Sequence, residues 1–192
     1  MLIKKNDNKD FGPRENPPEG TQCSRLIHII DLGTQHTEFQ GVAKDKRQVR
    51  LTWELVDTHM ADGRPFVIGK TFNASLYKSG LLNTIESMTG KGIEFEPDGS
   101  FNMKSLLDFA CMVTVKNEAK GDKTYANIVN VSPLPTIKGK KIEAEPSQNH
   151  LINFGFDAYD QTVYDMIPKW VQTICEKSPE FTKAKSGEDL PF

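Results

Sequence analysis

The sequence predicts a mainly β protein: a five-stranded antiparallel barrel with one short helix between its third and fourth strands and a helical appendix near its C-terminal end. Three observations predict it. Val49, Leu51, Trp53 and Leu55 alternate with Arg50, Thr52 and Glu54, the period-2 pattern of a strand with one apolar and one polar face. Turn pairs such as Asp62-Gly63 and Asp98-Gly99 interrupt the apolar stretches. Helical spacing with a distinct apolar face is found in a short stretch around Leu81 to Met88 and again from Asp160 to Glu176.

Residues 1 to 20 are polar and contain Gly12-Pro13 and Pro17-Pro18, which suits a flexible arm rather than a packed element. Cys23 to Gln40 is dense in apolar and β-branched residues, with Gly33 in the middle, as expected of a long first strand that bends sharply. Val49 to Leu55 is the second strand. After the Asp62-Gly63 turn, Pro65 to Phe72 forms the third, antiparallel to it. Ser79 can cap a helix whose apolar face is Leu81, Leu82, Ile85 and Met88, and Gly90 can stop it. A second short helical piece is expected over Met103 to Phe109, then strands over Ala110 to Lys116 and Tyr125 to Val131 joined by a polar loop, Asn117 to Lys123.

The barrel is expected to occupy residues 21–135. Residues 136–157 read as a connecting segment, because periodicity fades after Pro133-Leu134-Pro135. Residues 158–177 form the appendix, with Pro168 either kinking one helix or opening the second of two. Residues 178–192 read as a flexible acidic tail. The order β-β-β-α-β-β with a bent first strand is that of the OB-fold, a five-stranded Greek-key barrel.

The net charge of −2 conceals an asymmetry: residues 21–141 hold 16 Lys+Arg against 13 Asp+Glu, whereas residues 142–192 hold 4 against 9. A mildly basic body and an acidic C-terminal segment suggest two tasks in one chain. Cys23, Cys111 and Cys175 are odd in number and widely spaced, as in reduced thiols. Neither a CxxC nor an HxxxH spacing is present, so no metal ligand set and no cofactor is expected. Asp31, Glu54 and Asp57 are scattered, and Gly90-Lys91-Gly92 lacks phosphate-loop spacing, so no catalytic residue is assigned and an enzyme is not expected. Apolar runs fall far short of the roughly 20 residues of a membrane span, and Met1 to Asn8 lacks a signal-peptide core. A cytoplasmic protein is expected.

The last residues, Glu188-Asp189-Leu190-Pro191-Phe192, resemble the acidic tip of bacterial single-stranded-DNA-binding proteins, which typically reads Asp-Asp-Asp-Ile-Pro-Phe. The acidic run is shorter here and Leu190 replaces Ile. The body, about Gly20 to Pro135, is similar to bacteriophage single-stranded-DNA-binding proteins through Leu32-Gly33-Thr34-Gln35, Val49 to Leu55 and Lys70-Thr71-Phe72-Asn73-Ala74-Ser75-Leu76. The resemblance implies sequence-nonspecific binding of single-stranded DNA during phage replication, recombination and repair in the cytoplasm of an infected bacterium. It further implies that Glu188, Asp189, Leu190, Pro191 and Phe192 recruit replication or recombination proteins.

Such a protein needs cations for the backbone and aromatic planes for bases. Lys44, Lys46, Arg47 and Arg50 form a basic entry into the second strand, and Lys70, Lys78 and Lys116 can extend it. Phe39, Phe72, Tyr77 and Tyr125 lie among them. Lys44 to Arg47 also reads as a solvated turn, and Phe39 and Phe72 equally suit barrel packing. Trp53 shares its face with Val49, Leu51 and Leu55 and belongs to the core. Trp170 is expected to dock the C-terminal helix. The alternative is a protein–protein adapter in which the barrel is only a scaffold. The oligomeric state is not legible.

Overall fold

The structure, a computed structural model, describes residues 15–39 and 41–186. In chain order it contains β1 (Gly20–Phe39), β2 (Val42–His59), β3 (Pro65–Asn73), α1 (Gly80–Thr89), a 3-10 turn (Met103–Leu106), β4 (Ala110–Lys120) and β5 (Lys123–Pro133). These are followed by the two-residue strands β6 (Thr136–Ile137) and β7 (Lys140–Lys141), then β8 (Ile152–Phe154), a 3-10 turn (Phe156–Ala158), α2 (Gln161–Met166), α3 (Lys169–Cys175) and α4 (Pro179–Ser186). The chain is mainly β. Its principal sheet is open and antiparallel along the path β3-β2-β1-β4-β5, with β8 added parallel to β1. The end strands β3 and β5 approach each other, and Lys70 Nζ donates to Ile128 O at 3.3 Å across the gap.

β1 is long because it serves two sets of neighbours. From Gly20 to Arg25 it pairs with β4, from Ser24 onward it pairs with β2 on its other edge, and from His28 to Ile30 the edge left by β4 passes to β8. Register shifts at Leu26/His28 and Asp31/Gly33 accommodate the bend. Gly33 has φ +69°, and a Cβ there would run into Ser178, so both conformation and space require glycine. α1 is delimited as its sequence dictates: Ser79 accepts from Leu82 N, and Gly90, at φ 72°, sends its N–H to Glu86 O.

Alternate residues of a strand face opposite sides, and here both sides of β1 are covered. Leu26 and Ile29 join Val49, Leu51, Trp53, Leu55, Phe66 and Phe72 in a core closed by Leu81, Ile85 and Met88 of α1. Ile30 and Leu32 point the other way, into a second core with Ile152, Phe154, Phe156, Tyr164, Ile167, Val171 and Cys175. The outward face of β2 is covered too. Glu54 is fully buried, and its carboxylate accepts from Gln148 N, Asn149 N and Asn149 Nδ2 at 2.7–2.9 Å. Three donors compensate the desolvation of that carboxylate. Arg25 adds bonds to the carbonyls of Ala144 and Glu145.

Three expectations are corrected. The loop expected over Asn117 to Lys123 is mostly hairpin, since β4 runs to Lys120 and β5 begins at Lys123; ladder hydrogen bonds satisfy backbone that a polar loop would leave to water. Residues 136–157 are not merely a connector, because they carry β6, β7 and β8 and cover Glu54. The tail does not begin at Ser178: Pro179–Ser186 is helical, with Phe181 and Ala184 against the second core. Pro168 opens the second of two short helices.

Glu180 holds α4 to β1 through two hydrogen bonds, from Thr34 N at 2.8 Å and Thr34 Oγ1 at 2.6 Å. Burial works to raise its carboxyl, but the Thr34 bonds, together with its own backbone N–H and the nearby Arg47 charge, outweigh it and hold the group below its ordinary value. A depressed carboxyl stabilises fully above its unfolded pKa, about 4.3, and loses that contribution as pH falls through the folded value. Glu180→Gln should therefore lower stability by about 1–2 kcal/mol at neutral pH. The gap in melting temperature from the wild type should close as pH drops from about 6 to about 3; a gap independent of pH would count against this role for the carboxylate.

Candidate nucleic-acid interface

Two hairpins carry the basic residues. In the β1–β2 hairpin Lys44 pairs with Thr37 and Lys46 with Gln35, both lysines exposed. Residues two apart share a face, so the two ammonium groups project together. The intervening residues are already paired: His36 Nδ1 lies 2.7 Å from Asp45, and Arg47 Nη2 lies 2.6 Å from Asp31. The Asp31 hydrogen bond raises the Arg47 pKa further. Arg47 therefore departs from its expected role, since a guanidinium committed to a carboxylate gains little by meeting a phosphate. Nor is the segment a turn, because Lys44 to Arg47 lie within β2.

The β4–β5 hairpin brings Lys120 directly opposite Lys123. Like charges facing each other across a ladder are unfavourable, and a polyanion relieves that repulsion. Lys116 is exposed on β4, and Tyr125, 49% exposed, lies across from Glu118 on β5. Among the described residues, Lys44, Lys46, Lys116, Lys120 and Lys123 make no ion pair. The Lys120–Lys123 pair was missed in the sequence because Asn117 to Lys123 read as loop; Lys-Gly-Asp-Lys, a two-residue turn flanked by lysines, was the available signal.

The remaining candidates divide. Tyr77 is 76% exposed in the segment after β3, with Lys78 Nζ 5.4 Å from its ring. Lys78 holds φ 42°, a left-handed conformation uncommon for a lysine. Ala74 N donates to Arg47 O, which ties this segment to the base of the β1–β2 hairpin. Lys70, on the edge of an open pocket of about 170 Å³ with Ser87, Ile128 and Asn130, reaches across the β3–β5 gap. Phe72 is corrected from base-stacker to core residue, being 7% exposed beneath α1. Phe39 ends β1 by its backbone, and its side chain lies outside the described residues, as do Glu188, Asp189, Leu190, Pro191 and Phe192.

Arg50 is not a projecting cation. Its guanidinium carbon sits 4.7 Å from the centroid of the Trp170 ring, and Nη1 donates to Thr71 Oγ1 at 3.3 Å. Trp170 was expected to dock α3, yet it is 51% exposed; Ile167, Val171 and Cys175 supply the apolar docking instead.

Burial pushes the Cys111 thiol up to about 11 and the Cys175 thiol to about 12, so both stay protonated and unreactive near neutral pH. Among the described residues no three His, Cys, Asp or Glu side chains gather as metal ligands, and no helix is long and apolar enough to cross a membrane. No family model and no curated protein matches the chain.

Proposed function

We propose that this chain binds single-stranded DNA without sequence preference, as bacteriophage single-stranded-DNA-binding proteins do, and protects it during replication, recombination and repair. On this reading the sheet is a partly open OB-fold barrel whose seam lies between β3 and β5, and Glu188 to Phe192 recruit partner proteins. The observation that carries the proposal is the pair of hairpins whose lysines make no ion pair among the described residues, above all Lys120 facing Lys123. Tyr77 and Tyr125 supply exposed rings in the same regions, as a binder indifferent to sequence requires.

The test is a titration of a labelled oligonucleotide across salt concentrations, with the full chain and with a chain lacking Leu190 to Phe192. Single-strand binding releases about 0.7 counterions per neutralised phosphate, so five lysines imply roughly a hundredfold loss of affinity between about 50 and 200 mM salt. The truncated chain should bind the oligonucleotide as tightly as the full one while losing capture of replication proteins. Equal affinity for duplex DNA would overturn the single-strand reading, and no binding at low salt would leave the adapter.

A further inference from the structure

We infer that Trp170 and Arg50 form a base-stacking site for an unpaired nucleobase, a role that rests on the single-strand reading above. The site is built in three layers. At the bottom, Gly69 of β3 leaves room: a Cβ there would fall 2.5 Å from Arg50 Nη2, so any other residue would lift the guanidinium off the strand. Above it lies the Arg50 guanidinium, tied to the neighbouring strand by its hydrogen bond to Thr71 Oγ1 at 3.3 Å. On top lies the Trp170 indole, with the Arg50 carbon 4.7 Å from its centroid.

This arrangement does what a free aromatic side chain cannot. α3 is anchored independently, by Val171 and Cys175 in the second core and by Gln172 Nε2 donating to the carbonyls of Tyr164 and Ile167 at 3.0 and 2.8 Å. Trp170 is therefore not needed to fill that core, and its ring is 51% exposed. One face of the indole rests on a cation, which fixes its orientation and leaves the other for a ligand. A base stacking there loses little ring entropy on binding, while on the single-strand reading the exposed lysines of the two hairpins take the phosphates of the same strand. The ligand class is thus an unstacked base on an anionic backbone. Duplex DNA, whose bases are stacked internally, does not offer one.

The protein supplies its own probe, because its two tryptophans are Trp53, fully buried, and Trp170. Tryptophan emission and the anisotropy of a labelled oligothymidylate are to be followed in parallel for the wild-type chain, Trp170→Leu and Trp170→Phe. Wild-type emission should be quenched as the oligonucleotide binds, while Trp170→Phe, which retains only Trp53 as a fluorophore, should show little change. Trp170→Leu should weaken binding by roughly tenfold or more, Trp170→Phe should recover most of the loss, and neither should shift the melting temperature appreciably. Anisotropy reporting tight binding with no quenching and an unaltered Trp170→Leu affinity would overturn the stacking site and leave the single-strand reading intact. Melting temperatures that fall in step with affinity, without quenching, would overturn it in favour of a strut between α3 and β2. No anisotropy change at low salt for any of the three would overturn both readings together.

Discussion

Trp53→Ala should lower the stability of the chain by about 3–5 kcal/mol and its melting temperature by about 10 °C or more. Trp53 is completely buried, lies between Leu26 of β1 and Ile68 of β3 in the sheet register, and belongs to the core closed by α1. Truncation leaves a cavity that strands hydrogen-bonded on both sides cannot collapse to fill. Trp53→Phe keeps most of the ring, giving up part of its volume and the indole N–H beside the Cys111 thiol, and should cost markedly less. Chemical denaturation with matched m-values measures both. A Trp53→Ala chain as stable as the wild type but unable to bind the oligonucleotide would show that this ring serves the ligand rather than the core.

Replacing Lys116, Lys120 and Lys123 together by alanine should weaken single-strand binding by roughly a hundredfold at about 0.1 M salt and flatten the salt dependence by about two units of slope. All three are exposed on the β4–β5 hairpin without ion-pair partners among the described residues, so the effect on folding should be small. Removing the Lys120–Lys123 opposition should even stabilise the hairpin slightly. Tyr125→Ala, which leaves every lysine in place, should weaken binding by roughly tenfold without altering the slope, because stacking releases no counterions. Arg47→Ala serves as the contrast. Its guanidinium is already committed to Asp31, so it should change the melting temperature more than the affinity. A triple variant that kept both wild-type affinity and wild-type slope would remove this hairpin from the interface.

The local elements were legible because each depends on neighbours in sequence. Val49 to Leu55 alternates, and the strand places its odd members in the core as that alternation requires. Ser79 and Gly90 bound α1 because one supplies a side-chain acceptor and the other a left-handed backbone. The bend at Gly33 and the break at Pro168 follow equally from backbone chemistry.

What only the tertiary structure decided concerns contacts between residues far apart in the chain. Cys23 to Gln40 reads as a strand, but nothing in it shows that β1 is buried on both faces or that side chains from Ile152 to Ala184 supply the second cover. Glu54 sits in an alternating strand where a polar residue is expected to face water, and only Gln148 and Asn149, more than ninety positions on, turn that position into a buried one. Arg47 and Arg50 carry the same charge in sequence. Asp31 neutralises the first and Trp170 overlies the second, while Lys44 and Lys46 on the same strand keep their charges exposed. Residue type and period determined which side chains could form a strand, cap a helix or carry charge. Which charges remained available, and which aromatic rings remained exposed, depended on partners brought together by the bend of β1 and the return of the C-terminal helices, because pairing and burial are properties of distance in space rather than along the chain.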